Sequence, residues 1–584
     1  MRRPRSSADQ PLALVITLAL VMLASACHDS PEPGAAPRPD VPADATQEDD
    51  SDQPIRLAYV CGNKFLVINA YSVPVSVSFR VSGTEEEGTT EIAAAPAEDP
   101  AFSEQLIETR NRGTLELYFG GRKLRTRENP GISCTPSTPA PAFLTTGSAE
   151  AGEWSAPFSW PVIAVHLSLL PSGKVLSWGR VGEPQLWDPA TGAFTAIPSP
   201  IELFCAGHSL LSDGRLLAAG GHISNNHGLP DITLFSPASG SWSSSVPMQR
   251  GRWYPTNTTM SKGEVVITAG RDQSGITVTV PEVWSSSGLR RLTGASLKLP
   301  LYPRAFLAPN GKLFYAGELQ TTRYLDIAGS GIWTTVGPRR YPNRDYGAAV
   351  MYDQGKILYA GGGLTTNTAE TIDLLKATPT WQWTGSMAYA RRHLNATVLP
   401  TGHVLVTGGT SGTSFNDLSQ AVHAAEVWNP KTGVWSTLAA NTAKRGYHAT
   451  TILLPDGRVL HSGGGDAASA IDEKNAELFS PPYLFKGPRP TIAGAPTLVR
   501  YVTTFRVETP NAASITKVSL IRLGSATHAF DMNQRFQTLG FTADASGLTV
   551  TAPTNRKRTP PGHYLLFILN GSEVPSIARI VRVK

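Results

Sequence analysis

The stretch Lys444-Arg-Gly-Tyr447-His448-Ala-Thr-Thr-Ile-Leu-Leu-Pro455-Asp-Gly457-Arg-Val-Leu-His-Ser-Gly463-Gly464-Gly465 decides how this chain is read. Two apolar runs flank a Pro-Asp-Gly turn, and glycines close the unit. Apolar runs that meet at a glycine turn predict an antiparallel pair of strands. Tyr447 and His448 stand side by side just before the first strand. A phenol and an imidazole are both donors to a metal ion. Taken singly, such a pair in a strand-rich protein is usually packing or surface.

The unit recurs. Its turn glycines are Gly173, Gly214, Gly263, Gly311, Gly355, Gly402 and Gly457, spaced 41 to 55 residues apart. Most copies end in a small-Gly or Gly-Gly pair and are followed by a second apolar segment, such as Glu426-Val-Trp-Asn-Pro-Lys-Thr-Gly-Val-Trp435. A period of about 50 with paired glycines and a downstream Trp is the kelch pattern of a β-propeller. One such unit cannot bury both its faces, and a ring of them can. The reading is a seven-bladed kelch β-propeller over 153–487. The paired glycines let backbones approach where a Cβ would block them.

The flanks are strand-like too, so the fold class is all-β. Alternation in Val75-Ser-Val-Ser-Phe-Arg-Val and Thr114-Leu-Glu-Leu-Tyr-Phe predicts a small β-sandwich over 54–134. A Pro/Ser/Thr/Ala linker follows over 135–152. After about Pro488 the strand-like runs and the Thr559-Pro-Pro-Gly562 turn suit an immunoglobulin-like β-sandwich over 488–584.

The start of the chain reads as an address. Arg2, Arg3 and Arg5 precede an apolar run from Leu12 to Leu23 and the small residues Ala24-Ser25-Ala26. Residues 1–26 are expected to be a signal peptide. Cys27 directly after them is like the lipidated first residue of a bacterial lipoprotein. Residues 27–53, rich in Pro and acidic side chains, then form a tether. The expected location is the cell envelope or the exterior, with membrane contact only through a lipid at Cys27. Disulfides persist there, and Cys61 with Cys134 is the expected pair. Cys205 is left over. The net charge of +5 over 584 residues, with no basic stripe, argues against nucleic acid as a partner. A monomer is expected.

Chemistry must come from what the propeller carries. Tyr254, in Arg250-Gly-Arg-Trp-Tyr254-Pro-Thr, precedes a blade strand as Tyr447 does. Cys205, in Leu203-Phe-Cys205-Ala-Gly-His, stands at the same point of the preceding blade. Equivalent points on blades converge at one mouth of the central channel. His528, in Gly524-Ser-Ala-Thr-His528-Ala-Phe-Asp, is a loop histidine of the last domain.

With these residues in view, the stretch from about Trp154 to Lys584 resembles the copper radical oxidases, galactose oxidase and glyoxal oxidase. Phe204-Cys205, the Tyr254 segment, Tyr447-His448 with its Leu-Pro-Asp-Gly-Arg-Val turn, and Gly524-Ser-Ala-Thr-His528 follow the family's order and spacing. Phe479-Ser-Pro-Pro-Tyr-Leu-Phe and Pro561-Gly-His-Tyr-Leu-Leu-Phe-Ile-Leu-Asn do so as well. The Arg-Trp-Tyr-Pro-Thr wording is nearer to glyoxal oxidase. The resemblance implies one copper ion, with Tyr254, His448 and His528 as equatorial ligands and Tyr447 as axial ligand and base. N,O donors suit Cu(II). It implies a thioether between Cys205 and Tyr254 that stabilises a tyrosyl radical. It also implies oxidation of a primary alcohol, aldehyde or glycan end by dioxygen, with release of hydrogen peroxide.

Two departures stand out. Galactose oxidase has a stacking tryptophan after the glycines of the radical-tyrosine blade. Here that place reads Ala269-Gly270-Arg271-Asp272-Gln273, and Trp253 is not expected to take its role. The glutamine after the sixth-blade glycines gives way to Thr410-Ser411, so galactose is not the expected substrate. Arg304, Tyr346 and His208 are candidates for the channel mouth, read as structural. The alternative reading is a non-catalytic kelch propeller that binds surface glycans or partner proteins.

Overall fold

The computed structural model describes residues 55–61, 63–94, 103–129, 147–363, 365–466 and 471–584. The expected signal peptide, the tether with Cys27 and the Cys61–Cys134 bridge lie outside the described residues or side chains. The small N-terminal unit has one sheet of Ile55–Cys61, Lys64–Asn69 and Ser103–Glu108. Its second sheet is ordered Glu87–Ile92, Val75–Val81, Leu115–Phe119 and Arg122–Arg127. Val75, Val77 and Val81 point inward while Ser76 and Ser78 are exposed. Together with Leu57, Phe65 and Leu117 they form a shared core.

Among the described residues, seven antiparallel sheets then follow in chain order. In each, one of the seven turn glycines joins the first two strands, at φ between 74° and 96°. Only glycine adopts that backbone without strain. The first strands, such as His166–Leu169, Gly207–Leu210 and Thr256–Thr259, are buried at every position. Neighbouring sheets cover both faces, which is why these runs do not alternate. The outer strands are exposed, as in Ser241–Ser244. Ala449–Leu453 of the last sheet touches His166–Leu169 of the first and closes the ring. The last sheet also takes Glu153–Trp154 as its fourth strand, with Trp154 packed on Phe479 at a centroid distance of 4.9 Å.

A second repeat interlocks the sheets. Arg252, Arg344, Arg391 and Arg445 are fully buried, and each pairs with a glutamate in the third strand of its own sheet. The pairs are Arg252–Glu282 at 2.9 Å, Arg344–Glu370 at 2.7 Å, Arg391–Glu426 at 2.5 Å and Arg445–Glu477 at 2.9 Å. Arg391 also donates to Gly408 O, and Arg445 to Gly463 O. The glycine pair of the preceding sheet packs on the arginine's own carbonyl. A Cβ at Gly220 would lie 2.1 Å from Arg252 O, and one at Gly408 would lie 2.7 Å from Arg445 O. Removing one partner of such a buried pair typically costs about 3–5 kcal/mol.

The last unit packs a five-stranded sheet, ordered Leu498–Val499, Arg579–Val583, Gly562–Asn570, Ile515–Arg522 and Phe536–Leu539. Against it lies a sheet of Thr504–Glu508, Gly547–Thr551 and Phe541–Asp544. Val507, Leu520, Leu548 and Ile568 fill the space between. Between Ile515–Arg522 and Phe536–Leu539 the chain forms a hairpin, Ser525–Thr527 and Phe530–Asp531. The hairpin leaves the sandwich and pairs with the innermost strand of the first propeller sheet, His166 opposite Thr527. The side chain of Asp531 ties it together by accepting from the N–H groups of Ser525, Asn533 and Gln534.

Candidate active site

Six successive propeller sheets place a left-handed, non-glycine residue at one equivalent point, just before the innermost strand. These are Cys205 (φ 67°), Tyr254 (63°), Tyr302 (47°), Tyr346 (49°), His393 (59°) and His448 (68°). Such a backbone costs on the order of 1–3 kcal/mol per residue and persists only where the surroundings enforce it. Here main-chain bonds run around the ring, from Tyr254 N to Cys205 O, Tyr302 N to Tyr254 O and His393 N to Tyr346 O, at 2.9–3.0 Å. The buried arginines stand two residues ahead of Tyr254, Tyr346, His393 and Tyr447. That Arg-x-Tyr/His recurrence is a sequence signal for the ring, and it was passed over above.

The structure brings together the side chains singled out in the sequence. Tyr254 Oη lies 2.9 Å from Tyr447 Oη and 3.3 Å from His448 Nε2. The His528 ring stands 4.5 Å from the rings of both Tyr254 and His448, edge to face. All four side chains are buried. His448 Nδ1 is 2.6 Å from Gly465 O. A carbonyl can only accept, so Nδ1 carries the proton and the Nε2 lone pair faces Tyr254. His528 Nδ1 bonds Thr527 Oγ1 at 2.6 Å, and its Nε2 is a buried polar atom with no partner. Burial pushes His448 down to about 3 and His528 well below the ordinary imidazole range, His448 and His166 adding to the shift at His528. Both rings are therefore neutral, the form that binds metal.

These observations fit a metal ion. Two neutral imidazole nitrogens, one of them orphaned, and two phenol oxygens converge at one buried point. Among the described residues no three His, Cys, Asp or Glu side chains form a metal cluster. Half of this donor set is tyrosine. N and O donors of this kind suit Cu(II).

Around Tyr254 the wall is aromatic and sulfur. Its ring stacks on Trp253 at 3.7 Å and 7°, and on Tyr302 at 4.6 Å. The expectation that Trp253 takes no stacking role is therefore corrected. Adjacent residues of a strand point to opposite faces, but the left-handed turn at Tyr254 and the bridge between Trp253 and Arg271 break that alternation. Trp253 Nε1 donates to His222 Nδ1 at 3.3 Å, and Cys205 Sγ lies 3.8 Å from the same nitrogen. Cys205 N–H donates to His166 Nε2 at 3.2 Å.

The other three candidates differ among themselves. Arg304 donates to the carbonyls of Tyr302, Gly347 and His528, and so holds the hairpin in place. His208 lies between Ser168 and Ser525, at the seam of hairpin and propeller. Tyr346 meets the Tyr447 ring edge to face at 5.4 Å. Sequence reasoning missed His393 and Phe415, whose rings lie 5.3 and 4.9 Å from that of Tyr447. In place of the missing glutamine, Ser411 Oγ donates to Ala390 O.

Known proteins resemble this chain over most of its length. Residues 489–583 match the family described as galactose oxidase-like, Early set domain. A galactose oxidase of Gibberella zeae is 30% identical over 487 residues, covering 74% of this chain and 70% of that protein. The aldehyde oxidase GLOX of Vitis pseudoreticulata is 30% identical over 473 residues, covering 72% of this chain and 89% of that protein. A solved fungal alcohol oxidase, described as showing catalytic diversity among the AA5 family and in complex with copper, matches with a TM-score of 0.69 at 26% identity. It covers 74% of this chain and 100% of its own.

Proposed function

The chain belongs to the copper radical oxidase family of galactose oxidase and glyoxal oxidase, and from that premise we propose which of its residues do the work and on what. The reaction removes two electrons and two protons from a primary alcohol or an aldehyde hydrate, and dioxygen takes up both pairs to leave as hydrogen peroxide. Tyr254, Tyr447, His448 and His528 hold the copper. When bound, copper supplies an open position for the substrate hydroxyl and a place for one of the two electrons.

In this reading Cys205 Sγ is joined to a ring carbon of Tyr254, with the thiol hydrogen and the ring hydrogen lost to dioxygen, and one-electron oxidation of the linked phenol by dioxygen would give a radical. Tyr447, as phenolate, takes the hydroxyl proton. The Tyr254 radical takes a hydrogen atom from the adjacent carbon. Trp253 and Tyr302 cover the Tyr254 ring and keep water from it. The N-terminal address supports export, and Cys27 is proposed as the site of a lipid anchor. The convergence of two phenols and two neutral imidazoles on one buried point carries the assignment.

Peptide mapping tests it. After exposure to copper and oxygen, the Cys205 and Tyr254 peptides should co-migrate as one species lighter by two hydrogens. A thiol at Cys205 that still reacts with an alkylating agent refutes the linkage.

A further inference from the structure

Two members of the ring, Tyr346 and His393, have no role in that account. His393 sits where Tyr254 and His448 sit in their own sheets, with the same left-handed backbone; a buried arginine stands two residues ahead of His393 and Tyr254 and three ahead of His448. Its ring is buried against Tyr346, Phe415 and Tyr447, at centroid distances of 4.6, 4.7 and 5.3 Å. Nε2 lies 2.5 Å from Phe415 O. The carbonyl accepts, so Nε2 carries the proton and Nδ1 is left as an acceptor. Nδ1 is buried and has no partner. An acceptor stripped of water and left unpaired is costly, and a ligand hydroxyl would relieve it.

We propose that His393 is a specificity-determining residue whose Nδ1 accepts a hydrogen bond from a second substrate hydroxyl, on or next to the carbon that is oxidised. This rests on the oxidase reading above. Tyr447 takes the proton of the reacting hydroxyl there, and His393 is its immediate neighbour. The two rings lie 5.3 Å apart, so the proposed donor is a hydroxyl close to the reacting one. The substrates that carry it are hydrated small aldehydes, with two hydroxyls on one carbon, and vicinal diols. A simple alcohol leaves Nδ1 unpaired and is discriminated against, as sites built around a hydroxyl discriminate against analogues without it.

The test compares ethanol, ethylene glycol and methylglyoxal on the copper-loaded wild type, H393F and H393N, with copper content and the Cys205–Tyr254 mass checked in each. In H393F the preference in kcat/KM for the two-hydroxyl substrates over ethanol should fall by about tenfold to a hundredfold. H393N keeps a polar side chain, should retain part of the preference, and serves where the phenylalanine variant does not fold. Anaerobic titration of the Cu(II) protein with its radical reduced, followed by electron paramagnetic resonance, should show the same selective loss of affinity. A fall confined to methylglyoxal assigns the hydrate, and one confined to ethylene glycol assigns the diol. An equal fall on all three substrates, or none, overturns the proposal. A wild type that binds copper yet makes no peroxide from any of them overturns the oxidase reading itself, and that outcome is visible without any variant.

Discussion

The two imidazoles of the site, His448 and His528, reach one point by opposite routes. His448 is part of the propeller's own repeat. It follows a buried arginine, takes a left-handed backbone as its counterparts do, and is oriented by Gly465 of its own sheet. His528 belongs to no repeat. A hairpin from the last domain carries it, strand-paired to His166–Ser168 and pinned by Arg304. Buried arginine–glutamate pairs hold four of the propeller sheets, whereas the hairpin is held by its pairing with His166–Ser168 and by Arg304. In the proposed site the propeller supplies Cys205, Tyr254, Tyr447 and His448, and the last domain adds His528.

The largest effects should come from separating these two suppliers. His528→Ala removes the donor that the hairpin is proposed to supply and should lower turnover by about a thousandfold or more, the scale expected when one member of a catalytic unit is lost. Copper content should fall with it. Cys205→Ala touches only the propeller side. It should keep copper while turnover drops to a similar degree and the tyrosyl radical signal disappears. If His528→Ala still binds copper fully, the hairpin is a plug rather than a ligand carrier.

This contrast also explains what the sequence made legible. The turn glycines announced the blades because only glycine tolerates the φ they adopt. The Tyr447-His448 pair and the spacing of Cys205 and Tyr254 were visible because repeats put equivalent residues at equivalent places. The closure of the last sheet by Glu153–Trp154 was not visible, since two residues carry too little pattern. Nor was the pairing of Ser525–Thr527 with His166–Ser168, a contact between distant segments with no shared motif. The stacking of Trp253 was not visible, because adjacent residues of a strand point to opposite faces and nothing in the sequence shows that Tyr254 turns left-handed. His393 lay in plain sight in the Arg-x-Tyr/His recurrence, which needed the blades aligned before it meant anything.

The seam can be probed through acid. His208 Nδ1 bonds Ser525 and Ser168, Nε2 is buried without a partner, and burial pushes the ring down to about 3. Above the ordinary imidazole value near 6.5, the folded and unfolded chains are both neutral there. Below it, the unfolded chain binds a proton that the fold refuses, so stability falls as pH drops from 6.5 toward 3. At about pH 4.5 this amounts to about 3 kcal/mol. His208→Asn should be somewhat less stable at neutral pH but should lose about 3 kcal/mol less than wild type on acidification, read from urea midpoints. Parallel curves for the two proteins would mean that the imidazole is charged at the seam.

The smallest effect is expected at Trp253, where the propeller supports the radical rather than forms it. An aromatic pair contributes about 0.5–1.5 kcal/mol beyond the area it buries, which is roughly a twofold to twelvefold change in rate if the stack matters in the oxidised state. Trp253→Phe keeps a ring over Tyr254 but loses the Nε1 donor to His222. Trp253→Ala loses both. Copper content and KM should stay near wild type in each, because both substitutions change only the face of the Tyr254 ring and leave its phenol oxygen and the His393 side of the channel as they are. The radical's half-life after oxidation should shorten in the order wild type, Phe, Ala, with kcat following by less than about tenfold. If the alanine variant's radical decays no faster than the wild type's, the stack seen at 3.7 Å is only packing. The radical's persistence would then rest on the proposed Cys205 linkage and on Tyr302 alone.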